Sequence, residues 1–95
     1  MTRDSSPPVA SGSVTDNQSK NRFELSANGN TAFLMYHRTA DALTLIHTEV
    51  PRAIRGQHFG EALVEAALRS AHSAGLRIIA VCPFVKEYMR RHPEA

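Results

Sequence analysis

The residues best suited to bind a ligand lie in one glycine-containing stretch in the middle of the chain. The stretch reads Arg55-Gly56-Gln57-His58-Phe59-Gly60. Glycines let backbone N–H groups converge on an anion, a helix beginning here would add a favourable partial charge, and Arg52 and Arg55 would add full charges. The pattern therefore predicts an anion site. Two glycines also suit a simple strand-to-helix turn, and the spacing alone fits both interpretations.

Cysteine, histidine and charge usage limit the other chemistry that the chain can support. Cys82 is the single cysteine, so no internal disulfide can form and a reducing cytoplasm is the expected location. The five histidines have no metal-ligand spacing, and we therefore expect no metal site. The net charge of +2 comes without a long basic run, which argues against nucleic acid binding and suits a small anionic ligand.

Three predicted strands come before this stretch. Phe23 and Leu25 alternate with polar neighbours, which is typical of a strand with one buried face. Asn28-Gly29-Asn30 suits a tight hairpin turn into a second strand over Thr31–Arg38. A third strand is predicted over Ala42–Val50 and ends at a proline, which cannot donate to the hydrogen-bond ladder.

A helix, a further strand and a second helix follow the stretch. Over Gly60–Ala74 apolar residues recur on one helical face, and Gly75 suits a left-handed C-cap. Leu76–Cys82 is almost continuously apolar, which predicts a strand buried on both faces and parallel to the third strand through a right-handed crossover. The last helix is predicted over Pro83–Arg91. The chain is thus predicted to be an α/β protein with a mixed sheet, in which antiparallel strands precede a strand-helix-strand unit and a C-terminal helix.

Residues 1–20 differ in composition from the rest of the chain. They are rich in polar residues, glycine and proline, so burial cannot offset the entropy cost of ordering them. We predict a disordered tail over residues 1–20 and one folded domain over residues 21–95. No apolar run approaches the ~20 residues of a membrane span, and the N-terminus does not read as a signal peptide. We expect neither membrane insertion nor export.

A wider set of motifs resembles one family of small proteins. Arg55-x-x-His58-x-Gly60 is similar to the Arg/Gln-x-x-Gly-x-Gly/Ala loop of GNAT acetyltransferases, whose amides hold the coenzyme A pyrophosphate. Further motifs follow the family's order, namely His47-Thr48-Glu49-Val50-Pro51, Cys82-Pro83-Phe84-Val85 and Tyr88-x-x-x-His92-Pro93. Over residues 22–94 the chain resembles the short N-acetyltransferase domain-containing proteins, which are very small GNAT-like proteins. His58 stands where that family usually has glycine, and it would strain the loop if the position needs a positive φ.

The resemblance implies a minimal GNAT-like acyl-CoA N-acyltransferase fold, with acetyl-CoA as co-substrate and an amine as acceptor. It places the coenzyme against the end of the third strand and the loop, at Thr48, Glu49, Val50, Arg55, Gly56, Gln57, His58, Phe59 and Gly60. It leaves open which amine accepts the acetyl group, and it is silent on the oligomeric state.

The same resemblance points to four candidate catalytic residues, Cys82, Glu49, Tyr88 and His47. His47 and Glu49 lie two apart and share one face of a strand, where either could take a proton from an amine; both are equally explained as surface polar groups. GNAT enzymes often carry, on the helix of Tyr88, the tyrosine that protonates the leaving thiolate, although Tyr88 also suits a helix-to-sheet contact. Cys82 belongs to the family's Cys-Pro pair, and a lone cysteine after an apolar strand is equally a core residue.

Two functions therefore follow from the sequence. The first is an acetyl-CoA-dependent N-acetyltransferase, and the alternative is a non-catalytic coenzyme-binding or interaction module. For the enzyme we expect direct transfer to the amine rather than an acetyl-Cys82 intermediate, because the apolar run before Cys82 would raise the pKa of its thiol.

Overall fold

A five-stranded sheet and two helices form the fold. The computed structural model describes residues 13–93. Its elements are β1 (Thr15–Asn17), β2 (Arg22–Ala27), β3 (Asn30–Arg38), β4 (Ala42–Glu49), α1 (Phe59–Ala74), β5 (Arg77–Ala80) and α2 (Pro83–Arg91). The strands follow the chain order across the sheet, with β1 to β4 antiparallel and β5 parallel to β4. The predicted α/β class and the mixed sheet are confirmed.

The hairpin between β2 and β3 forms where the turn residues predict it. Asn28 and Gly29 both have positive φ values, 53° and 77°, which suit the twist of a two-residue hairpin loop. The turn sets the register, in which Ala27 faces Asn30. The period-2 pattern then turns Phe23 and Leu25 into the core.

One apolar core lies between the sheet and the helices. Its largest fully buried side chains are Leu34, Leu45, Ile54, Leu63, Val64 and Val85. Ile54 belongs to a short 3-10 helix just before residues 55–60, and Phe59 at the start of α1 is also buried. The loop that contains the predicted anion site is therefore held in place on both sides by the core.

β5 is an edge strand, which corrects one prediction. It pairs with β4 alone in the part of the chain that the structure describes. Ile78 and Ala80 pack against the core, whereas Ile79 is 39% exposed and Val81 is 51% exposed. The prediction that Leu76–Cys82 is buried on both faces is therefore wrong. An apolar run does not reveal whether a second layer covers the sheet, and here the other face of β5 lies open.

Ordered structure begins before the predicted domain boundary at residue 21. β1 pairs with β2 through Thr15↔Glu24, Asp16↔Phe23 and Asn17↔Arg22. The buried Tyr36 hydroxyl donates to Asp16 Oδ1 at 2.6 Å. The predicted disorder is therefore not seen over residues 13–20, because backbone pairing and one side-chain hydrogen bond order a segment with few apolar residues. Residues 1–12 of the predicted tail lie outside the described residues.

Candidate active site

A cleft of about 450 Å3 opens where β4 ends and α1 begins. Its lining residues come from the end of β4, the loop, α1 and α2, and they are Thr48, Glu49, Val50, Arg55, Gly56, His58, Phe59, Gly60, Glu61 and Phe84. All the predicted coenzyme-binding residues except Gln57 therefore line one cleft. Sequence reasoning missed Glu61 and Phe84, although Phe84 lies inside a motif that it had singled out.

The loop adopts the backbone conformations that its sequence suggests for an anion site. Gly56 has a φ of 84° and His58 a φ of 64°, so the position at which His58 replaces the usual glycine is left-handed. His58 is the N-cap of α1, and its side chain makes no capping hydrogen bond. The amides in the first turn of a helix have no acceptor within the helix. They lie at the cleft and give it a donor set for an anion.

Charged side chains surround the loop with both signs. Arg55 donates from Nε to the Val50 carbonyl at 2.9 Å, which ties the loop to the end of β4 and holds the guanidinium beside the cleft. His58 Nδ1 lies 3.5 Å from Glu61 Oε2. Glu61 lies in the first turn of α1, where its carboxylate interacts favourably with the helix dipole but would repel a bound anion. The positive character of the cleft therefore rests on Arg55 and the helix amides.

Gly60 on α1 lies close to the Phe84 ring on α2. A Cβ atom on this residue would lie 2.9 Å and 3.0 Å from two carbon atoms of the Phe84 ring. The glycine therefore does more than make a turn, because its missing side chain leaves room for an aromatic ring beside the first turn of α1. The ring is 37% exposed and forms one wall of the cleft.

β4 and β5 separate beside the cleft. Their parallel pairing ends at Leu45, whose carbonyl accepts hydrogen bonds from the amides of Val81 at 2.9 Å and Cys82 at 3.0 Å. Among the described residues no strand pairs with the β5 side of β4 beyond Leu45, while β3 continues to pair with β4 as far as Glu49. The backbone of β4 therefore faces an open gap beyond Leu45.

Cys82 lies at the inner end of this gap, between β5 and α2. It is 4% exposed, and its Sγ lies 3.5 Å from Thr48 Oγ1. Burial raises the pKa of the Cys82 thiol, but hydrogen bonds from the Thr48 hydroxyl and from the backbone at Val85, Phe84 and Thr48 outweigh it and lower the pKa overall. The expected rise in the pKa is therefore wrong. The apolar run ends at the N-terminus of α2, where amide groups stabilise a thiolate.

His47 and Glu49 form a pair on the face of the sheet that lies opposite to Thr48 and Cys82. His47 Nε2 lies 2.9 Å from Glu49 Oε1, so the predicted common face is observed. A bulge in the β3–β4 register leaves Ile46 unpaired and places His47 opposite the exposed Met35. The same shift places Thr48 opposite the buried Leu34. The His47–Glu49 pair and the Cys82–Thr48 pair therefore lie on different faces of β4.

Tyr88 is buried in the core on α2. Its ring stacks on that of His92, with 4.4 Å between the centroids, and it does not line the cleft. The four candidate catalytic residues therefore lie in three places. His47 and Glu49 lie on the open face of the sheet, Cys82 lies at the gap between β4 and β5, and Tyr88 lies on the buried side of α2. Only Glu49 among them lines the cleft.

The described residues contain neither a metal-binding cluster nor a membrane-spanning helix. In residues 13–93 no three His, Cys, Asp or Glu side chains are grouped so that they could hold a metal ion. Neither helix in that range combines the length and the apolar character needed to cross a bilayer.

The mixed sheet, the gap between its two parallel strands and the glycine loop at the start of α1 define a GNAT-like domain. The profile of the GCN5-related N-acetyl-transferase family matches residues 22–95, and the chain belongs to this family. The chain is also similar to Protein NATD1 of Xenopus tropicalis, with 29% identity over 93 residues, which cover 95% of this chain and 85% of that protein.

Proposed function

We propose that the protein binds acetyl-CoA and transfers the acetyl group to an amine. One observation carries this proposal: the glycine loop before α1 and the unpaired edge of β4 line a single cleft. An elongated ligand with an anionic group at one end and a reactive group at the other matches that arrangement. Acetyl-CoA has this form, and membership of the family favours it over other elongated anions.

The loop residues would hold the diphosphate. In this proposal the amides of Gly56 to Gly60 and the guanidinium of Arg55 bind its oxygens, and the coenzyme runs past Val50 to Thr48. The thioester would then lie beside the unpaired edge of β4. A free backbone N–H there would polarise the carbonyl and stabilise the oxyanion that develops during attack.

Direct transfer requires three balanced changes. The amine nitrogen attacks the thioester carbon, the carbon–sulfur bond breaks, and the coenzyme departs as a thiolate that must gain a proton. The attacking amine loses one proton, which Glu49 or His47 would accept on the open face of the sheet. Cys82 is better placed than Tyr88 to return a proton to the thiolate, since its sulfur lies beside the cleft residue Thr48.

An acetyl-cysteine route is the alternative. The Cys82 thiolate would attack the thioester carbon, and coenzyme A would leave as a thiolate that gains a proton. The amine would then attack the acetyl-cysteine and lose a proton, and the bond between the acetyl carbon and Cys82 Sγ would break to restore the Cys82 thiolate. The lowered pKa of Cys82 favours this route, while its low exposure opposes it. A reducing cytoplasm, which we propose as the location, would keep this thiol free.

A non-catalytic coenzyme-binding module is the second candidate, favoured by the separation of the four candidate catalytic residues. Calorimetric titration with acetyl-CoA and coenzyme A, followed by turnover assays on a panel of amines, distinguishes the two. We expect binding of both ligands and acetylation of at least one amine class. Binding without turnover on polyamines, protein lysines and protein N-termini would favour the module, and a lack of binding would reject both functions.

A further inference from the structure

We propose that Phe84 selects ligands that carry the pantetheine arm of the coenzyme over nucleotides that carry only its diphosphate. The inference rests on the proposed function and names a specificity residue for the same cleft. Phe84 is an aromatic residue with 37% exposure, so much of its ring meets solvent in the free protein. An exposed aromatic wall inside a cleft is a common feature of small-molecule sites.

The position of the ring is fixed by both ends of the cleft. At one end it packs against Gly60 in the first turn of α1, where the anion-binding amides lie. At the other end it follows Cys82, the N-cap of α2, by two residues. A ligand that reaches from the loop to the gap between β4 and β5 must therefore pass the ring.

The cleft combines charged and apolar lining residues. Arg55 and Glu61 lie at the loop and Glu49 at the end of β4, whereas Val50, Phe59 and Phe84 are the apolar lining residues. Phe84 therefore offers an apolar surface to the part of a ligand that carries no charge. That environment suits an uncharged, largely aliphatic linker such as pantetheine, and it gives nothing further to a nucleotide that ends at its diphosphate.

Two ligands distinguish a role of Phe84 in ligand specificity from a purely structural role. Calorimetry would compare coenzyme A with 3′-phosphoadenosine 5′-diphosphate, which keeps the diphosphate but lacks the arm. We expect Phe84→Ala to raise the Kd for coenzyme A about tenfold, the scale of one lost apolar anchor, and to leave that for the nucleotide within about twofold. Phe84→Leu should retain most of the affinity. Ile79→Ala, at a residue of similar exposure outside the cleft, should change neither Kd.

Gly60 supplies a second, independent test. Gly60→Ala should displace the ring and weaken coenzyme A binding in the wild-type background, but it should have little effect in a Phe84→Ala background, where the collision is gone. Equal weakening of both ligands by Phe84→Ala, or no weakening of either, would overturn the inference while leaving coenzyme binding in place. Wild-type protein that binds neither ligand would instead reject the proposed function, and this inference with it.

Discussion

His58 holds a backbone conformation that most side chains avoid. Its φ of 64° is left-handed. The His58 side chain is largely exposed, and its Nδ1 lies 3.5 Å from Glu61 Oε2. A left-handed non-glycine residue costs roughly 1–2 kcal/mol, and one exposed side-chain contact returns little of that. The loop therefore carries a strain that glycine would remove.

His58→Gly should accordingly raise the free energy of unfolding by about 1 kcal/mol and leave coenzyme affinity unchanged or improved. Thermal unfolding and calorimetry measure the two effects. His72→Gly, in an exposed helical position of α1, is the matched control and should destabilise the protein. Weaker coenzyme binding in His58→Gly would show that the imidazole itself contacts the ligand.

Experiments on Cys82 distinguish direct transfer from the acetyl-cysteine route. If an acetyl-cysteine forms, incubation with acetyl-CoA should add one acetyl group to Cys82, and Cys82→Ala should abolish turnover. If transfer is direct, no adduct accumulates and Cys82→Ala lowers the rate by up to about 10²–10⁴-fold. Peptide mass spectrometry and steady-state kinetics distinguish these results. Full activity of Cys82→Ala, Glu49→Gln and Tyr88→Phe would show that none of these three side chains is needed for the transfer.

At the scale of elements, β1 is held by its pairing with β2 and by the part-buried hydrogen bond from Tyr36 to Asp16. Removing residues 1–20 should lower the free energy of unfolding by about 2 kcal/mol, because the Tyr36 hydroxyl loses its charged acceptor Asp16 along with the strand pairing. Chemical denaturation measures the loss. Truncation of residues 1–12 retains β1 and is the control. Equal stability of the two truncated proteins would show that β1 contributes nothing measurable.

The same hydrogen bond predicts a pH dependence. Burial and the bond to Asp16 raise the pKa of Tyr36 from 10.0 to about 12. The folded state favours the neutral phenol, so this contribution is fully present below the pKa of the unfolded chain, 10.0, and is lost as the pH rises through about 12. Tyr36→Phe should be less stable than wild type at neutral pH. It should also lose less stability than wild type as the pH rises from 10.0 to about 12. Parallel stability curves for the two proteins would contradict the assignment.

At the scale of the whole molecule, a small core makes stability sensitive to ligands. A domain of this size buries only roughly 60% of its unfolded surface, so its stability is modest. Acetyl-CoA at 100 times its Kd should add about 2.7 kcal/mol, which corresponds to a rise in Tm of roughly 10–20 °C for a domain of this length. Differential scanning fluorimetry measures the shift. Phe84→Ala, measured at the same acetyl-CoA concentration, should show a smaller rise.

The sequence by itself determined every element except β1, and it determined the position of the glycine loop before α1. Local patterns were sufficient there: alternation in β2, the Asn-Gly turn, the apolar face of α1, and the boundaries of α2, which begins at Pro83 and ends at Arg91 as predicted. Each of these signals depends on residues that are neighbours in the chain. The left-handed conformation at His58 was also foreseeable, because the family resemblance marks that position as a glycine site.

Only the tertiary structure decided which side chains meet. The bulge at Ile46 reverses the faces of β4 beyond it, so that Thr48 turns towards Cys82 while His47 and Glu49 turn away. The alternation pattern does not reveal this bulge, because His47, Thr48 and Glu49 after it are all polar and none of them marks the buried face. The lowered pKa of Cys82 depends on the Thr48 hydroxyl and on the backbone at the start of α2, and the contact of Phe84 with Gly60 joins residues from two helices. Such effects arise from groups distant in sequence that packing brings together.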